Sequence, residues 1–191
     1  MSGNNIHLLC TGDLHLGRHP TRIPEDYDSR EYSSISIWEK TVKRAVTSKV
    51  DAVIMTGDII DRKNRFYEAF GPLESGIKEL QKNDIHVFAV TGNHDFEVLD
   101  KINRSLNSEF FHLLGTGGQW ECRKLKKDGK SALNIWGWSY PKRRVRRNPL
   151  KDFNPVTADI PGIGLIHAEL NNPGSNYAPL STGELKDTGM V

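Results

Sequence analysis

IHVFAVTGNHD, residues 85–95, decides the fold. Ile85 to Val90 is a short unbroken apolar run, rich in β-branched and aromatic residues, and it reads as a buried strand. A Gly, an amide, an imidazole and a carboxylate follow at once. In an open α/β sheet, chemistry gathers where strands end at their carboxyl edge. Alone, Gly92-Asn93 is also an ordinary turn signal. The pattern recurs, however. IHLLCT (6–11) runs into Gly12, Asp13, Leu14 and His15; DAVIMTG (51–57) runs into Asp58 and ends its polar cluster at Asp61; IGLIH (163–167) ends on His167 and is followed by Glu169.

Between these runs lie stretches with helical spacing. Residues 34–49 place Ile35, Trp38, Val42, Ala45 and Val46 on one face. Residues 66–82 do the same with Phe66, Phe70, Leu73, Ile77 and Leu80, although Gly71-Pro72 weakens the first turn. A short helix is expected over 97–106, and residues 17–31 read as a long polar loop. Strands alternating with helices predict β-α-β units around a parallel or mixed sheet. After Phe110 the texture changes. Residues 119–127 and 130–139 flank Asp128-Gly129 and predict a β-hairpin with a tight primed turn, so the C-terminal part is antiparallel. A polar loop and a short helical piece close the chain.

In a parallel sheet the carboxyl ends share one edge, so Asp13, His15, Asp58, Asp61, Asn93, His94, Asp95 and His167 would converge. Carboxylate, imidazole and amide oxygen form a mixed N/O set without thiolate, suited to Mn²⁺, Fe²⁺ or Zn²⁺. A carboxylate can bridge two cations, and Asp58 is the natural candidate. Gly12, Gly57 and Gly92 allow close backbone approach before each cluster. Singly, each residue has a plainer reading: Asp13, Asp58 and Asp61 as caps or loop acids, His15 and His167 as packed imidazoles. Four strand ends together are not explained that way. His7, His19, His86 and His112 lack such a context and read as ordinary solvent or packing residues.

The chain has 191 residues, 37% of them hydrophobic, and a mean hydropathy of -0.53, which suits one soluble domain. No run approaches the ~20 apolar residues that span a bilayer. The N-terminus lacks the pattern of a signal peptide. Two cysteines far apart, Cys10 and Cys122, exclude a disulfide framework and point to the cytoplasm; Cys10, in an apolar run, reads as a buried thiol.

GDLH (12–15), GDIIDR (57–62) and GNHD (92–95), in this order, resemble the calcineurin-like metallophosphoesterase superfamily. DLHLGR (13–18) and GLIHAELNNPGSNYAPLSTGEL (164–185) resemble its SbcD-type DNA repair exonuclease subunits. The resemblance implies a metallophosphoesterase β-sandwich of the four-layer type, flanked by helices. It implies phosphodiester hydrolysis by a two-metal-activated hydroxide, with Mn²⁺ the leading metal. By motif position, Asp13 and His15 hold the first metal, Asp58 bridges, and Asn93 and His167 hold the second. His94 is the catalytic imidazole acting on the leaving oxygen, with Asp95 orienting it. Asp61 and Arg62 support the ligands or anchor the loop. The resemblance also implies DNA as substrate, an SMC-like ATPase partner and a homodimer. The family pattern continues to a Gly-His-x-His block. No histidine follows His167 here, so residues 1–191 read as a C-terminally truncated nuclease domain.

The net charge of +2 conceals an asymmetry. Residues 122–151 hold eleven Lys/Arg and one acid, hence +10, and the remainder is −8. Its centre, Lys142, Arg143, Arg144, Arg146 and Arg147, follows Trp136, Trp138 and Tyr140. Cations neutralise phosphates and aromatics stack on bases, which makes this a candidate DNA-facing patch. The plainer reading is a solvated loop paired with local acids. Trp136 and Trp138 share one strand face and read as core. Three functions follow: a DNA nuclease, another phosphoesterase acting on nucleotides or phosphoproteins, or an inert binding module.

Overall fold

The computed structural model describes residues 5–18, 31–61, 66–155 and 160–190. Arg62, His19 and most of the expected 17–31 loop lie outside the described residues. In chain order the elements are β1 (Leu8–Thr11), α1 (Ser34–Thr47), β2 (Ala52–Thr56), α2 (Phe66–Lys82), β3 (His86–Val90), α3 (Val98–Leu106), β4 (Phe111–Leu113), β5 (Trp120–Lys127), β6 (Lys130–Trp138), β7 (Gly162–Ile166) and α4 (Thr182–Asp187).

Two sheets stack face to face. The first is parallel, in the order β1-β2-β3-β4; the second is β5-β6-β7. Strand β2 (AVIMT) is apolar on both faces because both are covered. Val53, Met55, Val87 and Ala89 meet the stripes of α1, α2 and α3. Their alternates Ala52, Ile54, Phe88 and Val90 meet Leu125, Leu133, Ile135 and Leu165 of the second sheet. The expected β-α-β units and sandwich are thus present. Among the described residues, α1, α2 and α3 flank the first sheet only. The outer face of the second sheet carries an aromatic cluster instead. There Trp138 and Tyr140 are buried, and half-buried Trp136 meets Phe153 edge to face. The tryptophans therefore pack in this satellite cluster rather than between the sheets.

The expected hairpin forms, with Asp128 at φ 51 and Gly129 at φ 75, the pair of positive angles a primed turn requires. Strand β7 then pairs parallel to β6, so the second sheet is mixed. Helix α1 starts at Ser33, whose hydroxyl accepts from Ser36 N at 3.1 Å. Helix α2 runs through Pro72, whose carbonyl accepts from Trp38 Nε1 at 3.0 Å. Gly76 lets the indole lie directly against α2: a methyl there would stand 2.6 Å from Trp38 Cε2. The buried side chains Leu73, Ile77 and Leu80 each contribute roughly 1.5–3 kcal/mol to this packing.

Two details depart from the sequence reading. Strand β4 was not expected, since three residues are too short to show a period. Cys10 is exposed rather than buried. It shares a face with Leu8, but β1 is the edge of a four-stranded sheet, and the three-stranded partner does not reach over it.

Candidate metal centre

The parallel register sets Thr11 beside Met55 and Thr56 beside Val90, so the loops after β1, β2 and β3 leave the sheet side by side. The ladder continues beyond the strands. Asp13 N donates to Gly57 O (3.1 Å), His15 N to Asp58 O (3.0 Å), Leu16 N to Ile59 O (2.8 Å) and Asp61 N to Leu16 O (3.1 Å). Sequence alternation explains why the loops hold this shape. Leu14, Leu16, Ile59 and Ile60 enter the core, while the polar residues between and around them turn to the site. Asp13, His15 and Asp58 have φ of 52, 46 and 49. Left-handed backbone at non-glycine residues costs of order 1–3 kcal/mol each, and such strain gathers at functional sites.

Asp58 is the centre. It is 3% exposed, and three imidazole Nε2 atoms face its Oδ2: His167 at 3.5 Å, His15 at 3.9 Å and His94 at 3.9 Å. None is close enough for a hydrogen bond, yet a cation between Asp58 and any one of these rings would be within ligand distance of both. Two groups result, both containing Asp58: His15, Asp58 and His94, and Asp13, Asp58 and His167. The Asp13 carboxylate lies 3.6 Å from His15 Nε2 and is exposed.

The ring nitrogens are set for ligation. His167 Nδ1 meets the carbonyl of Thr56 at 3.2 Å, and His94 Nδ1 meets the carbonyl of Asp61 at 2.8 Å. A carbonyl only accepts, so each Nδ1 carries its proton and each Nε2 keeps a lone pair toward Asp58. His15 Nδ1 lies 3.2 Å from Asp61 Oδ1, without the alignment of a hydrogen bond. Asp58 Oδ1 accepts from His94 N at 3.0 Å. Gly92 packs against the same carboxylate, and a methyl there would stand 2.7 Å from Asp58 Cγ. The donor set and these fixed tautomers fit a divalent-cation site.

The expected ligands Asp13, His15, Asp58 and His167 are brought together. Asn93 sits half-buried in the same loop as His94. Asp61 stands beside two histidines: its carbonyl meets His94 Nδ1, and its carboxylate lies 3.2 Å from His15 Nδ1. Asp95 needs a correction. It is fully buried and accepts from Gly92 N (2.7 Å), Ile59 N (2.7 Å) and Ile60 N (3.3 Å). It ties the β2 and β3 loops together and does not orient His94, a role that falls to the Asp61 carbonyl. Burial, then the Asp58 charge, push its carboxyl up to about 6 against those three donors. Glu169 stands outside both groups. Hydrogen bonds from Ser175 and Asn172 hold it below its ordinary value, and it braces the 172–175 turn.

The sequence reading missed Tyr140 as a neighbour of the site. It is buried, its ring lies 6.0 Å from that of His167 at 64°, and its carbonyl accepts from Thr91 Oγ1 at 3.5 Å. The basic run leaves from this point. Val145 N donates to Asn176 O (2.8 Å) and Val145 O accepts from Ala178 N (2.7 Å), stitching the run to the loop that follows His167. Lys142, Arg143, Arg144, Arg146 and Arg147 are exposed. Arg147 pairs with Asp152 and Arg146 Nε donates to Asn176 Oδ1 at 2.7 Å, whereas Lys142, Arg143 and Arg144 form no ion pair among the described residues. Among the described residues no helix is long and apolar enough to cross a membrane.

Residues 6–182 match the calcineurin-like phosphoesterase family. The uncharacterized metallophosphoesterase YhaO of Bacillus subtilis is 25% identical over 97% of this chain, which spans 47% of that protein. The DNA double-strand break repair protein Mre11 of Methanosarcina acetivorans is 32% identical over 78% of this chain, the match spanning 22% of that protein. The chain thus spans about half or less of the relatives it matches. Among solved structures, the nuclease MPE of Pseudomonas putida superposes over 89% of this chain and 66% of its own, with 13% identity and a TM-score of 0.42. A dimetal phosphatase from Danio rerio superposes over 70% of this chain and 43% of its own, with 20% identity and the same score.

Proposed function

The chain belongs to the calcineurin-like phosphoesterase family, hydrolases of phosphate esters, and from that membership we propose that it is a divalent-cation-dependent DNA nuclease. The observation that carries phosphoester hydrolysis is the convergence of three imidazole Nε2 atoms and the Asp13 carboxylate around Asp58. Asp13, His15, Asp58, Asn93 and His167 would hold two cations, with Asp58 shared and Mn²⁺ the leading metal. The bound cations would supply an activated water and neutralise phosphoryl charge. His94 presents Nε2 toward the same space, and in its protonated form it can deliver a proton to the leaving oxygen.

DNA as substrate is supported by the relatedness to Mre11 and by a run of five exposed cations whose backbone, at Val145, is hydrogen-bonded to the loop after His167. An SMC-like ATPase and a second copy of the chain are the partners this reading carries with it, and sedimentation with and without such an ATPase tests both.

The deciding experiment is cleavage of labelled linear double-stranded DNA with Mn²⁺. Asp58→Asn should abolish it. Changing Lys142, Arg143 and Arg144 to Ala should weaken binding and reduce the slope of log K against log salt by about 2–3. Hydrolysis of phosphomonoesters without cleavage of DNA would favour a phosphatase of the same family instead.

A further inference from the structure

Tyr140 is the one buried tyrosine hydroxyl among the described residues that has no hydrogen-bond partner. A buried hydroxyl left unpaired destabilises a fold by about 1–3 kcal/mol, and such groups are rare unless a partner arrives in the working state. The side chain is 2% exposed. Its ring is wedged between Trp138, 5.3 Å away at 66°, and His167, 6.0 Å away at 64°. The backbone on either side is pinned to the end of β3. Ser139 Oγ accepts from Thr91 N at 2.9 Å, and the Tyr140 carbonyl accepts from Thr91 Oγ1. Thr91 immediately precedes the Gly92–Asp95 loop, so Tyr140 cannot move without moving the site. After burial itself, the Asp58 carboxylate and then the Glu169 carboxylate act on its hydroxyl most strongly, raising its pKa. Neither accepts a hydrogen bond from it. A donor is therefore buried against the His167 ring and bonded to no acceptor.

We propose that Tyr140 is a positioning residue of the divalent-cation centre: its ring holds His167 against Asp58, and its hydroxyl is satisfied by an oxygen of the cation-loaded site. The inference rests on the reading of this cluster as a cation centre. It makes a prediction of opposite signs in the two states. Tyr140→Phe keeps the ring and removes only the orphaned hydroxyl. Without cations the variant should be more stable than the parent, with Tm raised by ~2–4 °C. With cations its affinity for Mn²⁺ should fall by about 10–100-fold, the effect expected when a group supporting a metal ligand is removed.

The experiment is calorimetric titration of Mn²⁺ into both proteins, with thermal unfolding in chelator as the second readout. A packing role alone would not move cation affinity while raising Tm. Unchanged Mn²⁺ affinity in Tyr140→Phe would overturn the inference and leave the cation centre standing. A lower Tm in chelator would also overturn it, since the hydroxyl would then have a partner in the empty protein. Failure of the parent chain to bind Mn²⁺ would overturn the cation centre itself, and the inference with it.

Discussion

Gly92→Ala tests the site through a single methyl group. Gly92 has no positive φ, so alanine suits its backbone and the effect is purely one of space. The new Cβ would overlap Asp58 Oδ1 and stand 2.7 Å from both Asp58 Cγ and Asp58 N. Ordinary contact begins near 3.4 Å, so the carboxyl carbon must retreat by about 0.7 Å. It has little room, because Asp58 is buried and its Oδ1 holds His94 N at 3.0 Å. Its Oδ2 is the atom that His15, His94 and His167 all face at 3.5 to 3.9 Å. Ligand geometry tolerates about 0.2 Å, and a misplacement near 1 Å can cost about 100-fold in rate. Overpacking should destabilise the fold by about 1–3 kcal/mol, leaving it folded. The assay is Mn²⁺-dependent hydrolysis of bis(p-nitrophenyl) phosphate, with cation affinity by calorimetry. Gly164→Ala is the control: beyond its chain neighbours nothing lies within 4 Å of its Cβ, and it should stabilise β7 by about 0.5–1 kcal/mol. Parental turnover and cation affinity in Gly92→Ala would refute the placement of Asp58 at the centre.

Four further outcomes are expected. Asp95→Asn should lower stability by roughly 2–3 kcal/mol in urea unfolding, because its amide NH₂ must face one of three backbone donors; lost activity at parental stability would restore a role on His94. Acid should destabilise the fold through His112, which is held down to about 4 by burial, then by the charges of His86 and Arg123. The unfolded chain binds the extra proton between pH ~6.5 and ~4, so this contribution is complete above 6.5 and is lost as pH falls through that window; it amounts to about 2 kcal/mol after discounting its solvent-facing side. His112→Phe should flatten the difference in urea midpoint between pH 7 and 4.5, and an unchanged difference would contradict the assignment. Gly76→Ala should destabilise by about 1–3 kcal/mol because the methyl meets the buried Trp38 ring, and an unchanged Tm would show that α1 and α2 can separate there. Chelation of divalent cations should leave far-ultraviolet dichroism unchanged while lowering Tm, whereas loss of helix and sheet signal would mean that the cations, not the backbone, build the site.

What could be read in the sequence was whatever repeats. The apolar runs that end on Gly-Asp, Gly-Asp and Gly-Asn-His-Asp announced both the parallel sheet and the residues at its carboxyl edge, because one register lines up all three ends. What could not be read depends on neighbours remote in the chain. Asp95 follows His94, and adjacency suggested partnership. The backbone instead turns the carboxylate inward onto Ile59 and Ile60, more than thirty residues earlier. Tyr140 follows two tryptophans and precedes five cations, which suggested a face for bases. Its place against His167 arises only when β6 docks on β3 through Ser139 and Thr91. Cys10 looked buried from local hydropathy, and its exposure follows from strand order, which no local pattern encodes.

The geometry of the centre is held by backbone. The carbonyls of Thr56 and Asp61 fix two histidine tautomers, the amide of His94 fixes Asp58, and the amides of Ile59, Ile60 and Gly92 fix Asp95. Every one of these groups lies within four residues of a strand end or in the ladder that prolongs β1 and β2. The strained angles at Asp13, His15 and Asp58 are therefore maintained by sheet pairing and by the burial of Leu14, Leu16, Ile59 and Ile60. Such a site is preorganised before any cation arrives, so binding energy is available for ligation rather than for ordering loops. The same economy makes the site vulnerable to changes that never touch a ligand. A methyl at Gly92 acts through the room Asp58 occupies, and Asp95 acts through the distance between two loops. In this fold, the residues that bind and the residues that space them form one mechanical unit.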